Sequence, residues 1–502
     1  VRPSGRSLAA AVASFALALW LRLRLLHAPP YGDEGLHYWT ARHFAAVPPN
    51  VTDVDGLSWF HPWWIVWQRP AYYVLLHPFA LHGFEAFRVG HALWSSLLPV
   101  AAFALLRAHG ASRPAAAGAG LFAAAFPPFV TWGGLALMDE PMAVLFAAAL
   151  WALRLRRDVL AGALFVAEAW TKETAFIGLA GVLAATLFRG WVAGRNRLDP
   201  FRLDRPSAAL LLAAPVALLP LQVSLVAGLD TIGAASGWRG VALLDPLWVA
   251  PWLALLCVAG LRWRASRSLC AVSLGLGLAF LALNGVLHRA VEAWYLVLPQ
   301  VLAGCAALAT VDAAVRAPRP HGSHRSRRPL LPVAAAVLVV ALLAAAVLLP
   351  ASAAKAAVLS PSSGQPVPSL AETFRYETRV RDRGQVDAVA ALRLDGARPV
   401  VAVDVPYPLD LHPLSERAGH VYVDSAAVRE SVRSYGVERF AAMAGQDGAM
   451  LLVRQTGLPF AAALEEAYGP CRVLDDAGYR VYESWRCPDG VEVLRRWQEA
   501  RS

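Results

Sequence analysis

A helix crossing the hydrocarbon core of a membrane needs about 20 mostly apolar residues, fewer where Arg or Trp reaches the interface from its ends. This 502-residue chain holds eleven such runs, at 8–26, 85–106, 114–131, 141–153, 159–171, 174–190, 207–226, 247–262, 268–287, 291–311 and 330–350. A soluble core has no use for so many. The composition agrees, with 16% charged residues and a mean hydropathy of +0.46, against about 25% charged in soluble chains. Disordered, collagen-like and cysteine-stapled scaffolds are excluded by the same numbers. The fold class is a polytopic α-helical membrane protein of about eleven transmembrane helices. The first run has the length of a signal peptide, but no small-residue cleavage site precedes His27-Ala28-Pro29-Pro30, so it reads as a retained anchor.

Charge supplies the orientation. A net charge of +10 and a pI near 9.7 would suggest nucleic acid if the basic groups shared one accessible face. They alternate instead. Connections on the side of the N-terminus hold 20 Lys and Arg residues, whereas the intervening ones hold five: Arg42, Arg69, Lys172, Arg239 and Arg289. By the positive-inside rule the N-terminus is cytoplasmic, and the first long loop, 27–84, and the C-terminal tail face outward. The basic excess orients the helices and meets anionic lipid, so no nucleic-acid partner is expected. The expected location is the inner (cytoplasmic) membrane.

Residues 1–350 therefore form the membrane domain, 351–370 a Ser-, Pro- and Ala-rich linker, and 371–502 a soluble domain outside. In the tail, 399–404, 420–424 and 449–454 read as strands, with helices at 426–435 and 459–468, the pattern of a small α/β domain. Cys257, Cys270 and Cys305 lie in apolar runs and read as packing residues. Cys471 and Cys487 flank a hairpin-like stretch, 473–483, and can pair as a disulfide in an oxidising exterior. No Cys/His spacing of a metal site is present.

The chemistry-bearing residues gather on the outer side. Asp33 and Glu34 directly follow the first span; they read either as a helix N-terminus, with Asp33 as cap, or as working carboxylates. Four tryptophans between Trp59 and Trp67 suit a segment in the interface, and 71–82 is too short to span and reads as an interfacial helix. Asp139-Glu140-Pro141 repeats the acidic theme, again with capping as the plain alternative. Lys172, one of two lysines in the chain, lies between Glu168 and Glu173; it reads as a salt-bridge partner or as an anion-binding cation. Carboxylates beside a few cations at one depth suit a reaction between a polar acceptor and a lipid-linked anion.

This constellation resembles the C-type integral-membrane glycosyltransferases, which use polyprenyl-phosphate-linked sugars and include the protein O-mannosyltransferases and the lipid A aminoarabinose transferase. The resemblance rests on Asp33-Glu34 with Tyr38, on Arg69-Pro70-Ala71-Tyr72-Tyr73, and on Gly83-Phe84-Glu85-Ala86-Phe87-Arg88. Asp139-Glu140-Pro141, Thr171-Lys172 and the Tyr295 to Pro299 stretch complete it, over residues 8–311. Glu173 departs from the small residue usual after Thr-Lys, and 227–246 carries no matching motif.

What the resemblance implies is inverting transfer of a sugar from a polyprenyl-phosphate donor to a hydroxyl on a protein, lipid or glycan acceptor. Asp33 would be the base, with Glu34 orienting or binding acceptor and Asp139 positioning the acceptor or the cations. Arg69 and Lys172 would neutralise the donor phosphate, and Glu140, Glu168 and Tyr295 would support the site or the acceptor. No cofactor is required; a divalent metal at the phosphate is compatible, although no ligand set demands one. Rival readings are a lipid or glycan transporter, which would more often show inverted repeats, and a non-enzymatic envelope assembly factor.

Overall fold

The structure is a computed structural model. It describes residues 5–28, 34–42, 70–172, 175, 178–182, 251–263, 265–287, 296–317, 330–359, 368–377, 400–403, 421–423, 450–454, 459–476 and 479–500. Helices dominate up to residue 350: α1 (Gly5–Leu23), α2 (Glu34–Arg42), α3 (Pro70–Ala80), α4 (Phe84–Ser95), α5 (Leu98–Ala108), α6 (Arg113–Ala125), α7 (Pro127–Gly134), α8 (Asp139–Arg154), α9 (Asp158–Ala169), α10 (Pro251–Gly260), α11 (Arg267–Leu287), α12 (Val297–Arg316) and α13 (Leu330–Leu348). The expected runs at 174–190 and 207–226 lie largely or wholly outside the described residues.

Among the described residues, two helices are long and apolar enough to cross a membrane, Phe84–Ala108 and Val297–Arg316. A third span is completed if Arg113–Ala125 and Pro127–Gly134 count as one. That run, expected as a single helix over 114–131, bends by 54°. The cause is local: Phe126 precedes Pro127-Pro128 and adopts an extended ψ of 124°, as a residue before proline must to avoid its ring.

The 20 residues of α12 would cover about 30 Å, the thickness of the hydrocarbon core. Nearly all of its side chains are buried, so it runs through the bundle, not along its rim. Close approach depends on small residues. A Cβ on Gly304 would lie 2.2 Å from the Phe122 ring of α6, and one on Gly120 would lie 2.9 Å from Ser14 Oγ of α1. By contrast Leu255, Leu278, Val337 and Val340 are exposed, as suits side chains facing lipid.

The two ends of the bundle differ in chemistry. At one end, Asp312 accepts from the Ser112 backbone N–H at 2.9 Å and pairs with Arg316, while Arg316 reaches the Gly110 carbonyl and Arg154 the Ala108 carbonyl. These contacts tie α12, α8 and the α5–α6 turn together through backbone groups. The opposite end gathers buried pairs of acidic and basic side chains.

After α13, the stretch expected as a linker contains α14 (Ala353–Leu359) and leads into α15 (Leu370–Glu377). A capping box starts α15: Ser369 Oγ accepts from the Glu372 N–H, and Glu372 accepts from the Ser369 N–H at 2.7 Å. Leu370 and Phe374 pack against Leu21 and Leu25 of the α1 end and Val130 of α7. The Arg24 guanidinium lies 4.9 Å from the Phe374 ring centroid.

The tail builds a five-stranded sheet of order β2-β1-β3-β5-β4, from β1 (Val400–Val403), β2 (Val421–Val423), β3 (Met450–Arg454), β4 (Arg472–Asp476) and β5 (Tyr479–Glu483). Strand β1 is parallel to both neighbours, and β4 and β5 form an antiparallel hairpin. The helix expected at 459–468 spans Pro459–Tyr468; the one expected at 426–435 lies outside the described residues. Cys471 and Cys487 are joined by a disulfide with Cα atoms 6.0 Å apart. Replacing both by Ser should destabilise the tail by about 3 kcal/mol, the chain-entropy value for a loop of this length. The readout is earlier proteolysis of the tail in the full-length protein along a urea series.

Candidate active site

The non-cytoplasmic end expected from charge coincides with the end where α2, α4 and α8 begin and where α1 and α9 finish. Three ion pairs are buried there. Each joins elements far apart in sequence.

Glu34 opens α2, where its charge favours the helix dipole. Its carboxylate is fully buried and takes both Nε and Nη2 of Arg88 at 2.6 Å, a paired hydrogen-bond geometry. It also accepts from the Ala136 backbone N–H at 2.9 Å. Arg88 completes its donors on the carbonyls of Leu25, Leu26 and Ala28, just past α1, and stacks on Phe84. One pair thereby fixes the end of α1, the start of α2, the first turns of α4 and the α7–α8 connection.

The second and third pairs share the first turn of α8. Glu140 accepts from Arg22 Nε at 3.1 Å and Nη2 at 2.9 Å, both on Oε2. Asp139 accepts from Lys172 Nζ at 2.6 Å. All four side chains are at most 6% exposed. Glu168 is equally buried, and neither of its oxygens has a hydrogen-bond partner among the described residues. It sits one turn before Lys172, whose backbone N–H donates to the Glu168 carbonyl at 3.1 Å. Lys172 therefore pairs with Asp139 across α8 and α9, and its ammonium is not hydrogen-bonded to Glu168.

The helix α3 closes one side. Tyr72, Tyr73, Leu76 and Ala80 face inward against Tyr38, Phe87, Ala136 and Met138, while Val74 and Leu75 stay half exposed. This two-faced burial suits the interfacial helix expected at 71–82. The Tyr72 hydroxyl donates to the Ala136 carbonyl at 3.1 Å and meets His91 Nδ1 at 2.9 Å. The Tyr73 hydroxyl meets His37 Nδ1 at 3.1 Å. At the start of α3, the Ala71 N–H donates to the Trp170 carbonyl at 3.1 Å, tying this helix to the turn that leads into Lys172.

Of the residues singled out in sequence, Glu34, Asp139, Glu140, Glu168 and Lys172 are thus brought to one end. Asp33, Arg69 and Tyr295 lie outside the described residues. Sequence reasoning gave Arg22 no role and met Arg88 only as the last residue of the Gly83 to Arg88 stretch. A signal was present, because an arginine inside an apolar run must find an acidic partner or reach the interface. No group of three or more His, Cys, Asp or Glu that could hold a metal gathers among the described residues.

No family model and no curated protein matches this chain. Solved structures do. ArnT from Cupriavidus metallidurans bound to undecaprenyl phosphate is similar with a TM-score of 0.57 at 16% identity, over 96% of this chain and 98% of that one. The same protein in the apo state gives 0.58 at 16% identity, over 94% and 97%. The Archaeoglobus fulgidus oligosaccharyltransferase in its apo form gives 0.51 at 12% identity, over 91% of this chain and 71% of that one. The chain shares the fold of these structures.

Breaking a buried ion pair strands the remaining charge at about 3–5 kcal/mol. Arg88→Met should therefore lose most of its folded population on mild heating of the purified protein. Arg88→Lys should fall between it and wild type, because an ammonium restores charge but not the paired geometry.

Proposed function

We propose that this chain transfers a sugar from a polyprenyl-phosphate donor to an acceptor hydroxyl at the outer face of the inner membrane, with inversion at the sugar carbon. The observation that carries the proposal is the Asp139–Lys172 pair, held beside the segment that follows Asp33, in a fold shared with a protein that binds undecaprenyl phosphate. The eleven-span count, the cytoplasmic N-terminus and the outward position of the tail belong to the same proposal.

A sugar phosphate leaves as a stable anion, so the harder proton problem lies at the acceptor. Asp33 takes the hydroxyl proton as the oxygen attacks, which a positioned base accelerates by about 10²–10⁴. Glu34, next in sequence, is committed to Arg88 and holds the segment in place. Lys172 carries three N–H donors, so it can keep Asp139 and still take a phosphate oxygen. Arg69 adds a guanidinium fork for the same phosphate. Asp139 orients Lys172, and Glu168 and Tyr295 border the acceptor. One base and one direct displacement give inversion, by analogy with inverting hydrolases. The acceptor class, whether protein, lipid or glycan, is left to pocket shape.

The test uses the purified full-length protein, a panel of polyprenyl-phosphate sugars and candidate acceptors. Wild type should release polyprenyl phosphate and give a product of inverted anomeric configuration by NMR. Asp33→Asn should lower kcat by about 10²–10⁴. Lys172→Met should weaken the donor's apparent KM as well as kcat. Full transfer by the Asp33→Asn protein would remove Asp33 as base, and retained configuration would remove the single displacement.

A further inference from the structure

The first turn of α8 carries two acids that act in different directions. Successive helical side chains diverge by about 100°, and here Glu140 reaches Arg22 on α1 while Asp139 reaches Lys172 beyond α9. No side-chain cap holds this turn. Its N-cap is Met138, which supplies no side-chain hydrogen bond. The rotation of the turn about its axis, and with it the aim of Asp139, must be set from outside.

We infer that Arg22 is a positioning residue for Asp139: through its buried pair with Glu140 it fixes the rotation of the α8 start, and so where Lys172 is held. This rests on the glycosyl-transfer reading above only for its kinetic consequence. Three further contacts confine the pair. A Cβ on Gly133 would lie 2.0 Å from Glu140 Oε2 and 2.3 Å from Arg22 Nε, so the end of α7 is pressed against both groups. Arg22 Nη1 donates back to the Ala18 carbonyl at 3.3 Å, which fixes the guanidinium on α1. Leu370 and Phe374 of α15 pack over Leu21 and Leu25, the neighbours of Arg22 in its own turn. The pair therefore acts as a dowel between α1, α7 and α8, while Asp139 and Lys172 face the proposed phosphate.

Arg22→Met with Glu140→Met tests this, since replacing both partners by apolar side chains of similar size preserves folding better than breaking one. Two readouts are taken. In the first, acetic anhydride labels the intact protein and mass spectrometry follows Lys172, with Lys355, the other lysine of the chain, as internal control. Labelling of Lys172 should rise several-fold and that of Lys355 should not change. In the second, kcat should fall by about 10–100-fold through misplacement of the phosphate-binding group, with donor KM nearly unchanged.

The same double change made on Asp139→Asn should add less than about twofold, because coupled residues are not additive. Arg22→Lys should recover part of the rate. Unchanged Lys172 labelling, or an equal loss of rate on both backgrounds, would overturn the positioning role. Absence of transfer by wild type with every donor would instead sink the enzymatic reading, and the labelling result would still decide the role of Arg22.

Discussion

The arrangement of the candidate-site end of the bundle depends on how a carboxylate and a guanidinium can be kept away from water together. Removing each from solvent loses several kcal/mol of hydration, which mutual attraction offsets only when the remaining hydrogen-bonding positions are filled. Glu34 and Arg88 meet that condition through their paired contact, the Ala136 N–H and three backbone carbonyls past α1. Those carbonyls belong to the turn just past α1. The guanidinium therefore does two tasks, compensating the acid and holding the turn that follows α1. Four chain segments meet at this one contact, and the candidate site is assembled around it.

The same economy appears at the α8 start, where adjacent acids divide between Arg22 and Lys172. Divergence of neighbouring side chains on a helix gives the two acids different partners. In both places the second acid, Glu34 or Glu140, is bound to an arginine at the end of a helix. Asp139, the first acid of α8, meets Lys172 instead.

Much of this was legible from the chain alone. Apolar runs located most described helices of the membrane part within a few residues, because burying backbone polar groups in lipid leaves the helix few alternatives. The 114–131 run was drawn too straight, although Pro127 marked where it bends. The strands at 400–403, 421–423 and 450–454 followed from short apolar runs in a polar tail. The partners of the acids were not legible. Nothing in a linear sequence states that Arg22 meets Glu140 across 118 positions, or that Glu168 is passed over by Lys172 in favour of Asp139. Such choices are made by the crossing of helices, and Gly133, whose missing side chain admits the Arg22–Glu140 pair, has no signature until that crossing is known.

The docking of α15 on the C-terminal end of α1 has a bearing on how the protein is made. At about 5–20 residues per second of synthesis, Arg22 emerges roughly ten seconds before Glu140, and longer still before Leu370 and Phe374. During that interval the Arg22 charge lacks its partner and the Leu21 and Leu25 patch is uncovered. Helix α1 is therefore completed only after the segment around Leu370 has been made, and a nascent chain interrupted before residue 370 leaves it uncovered.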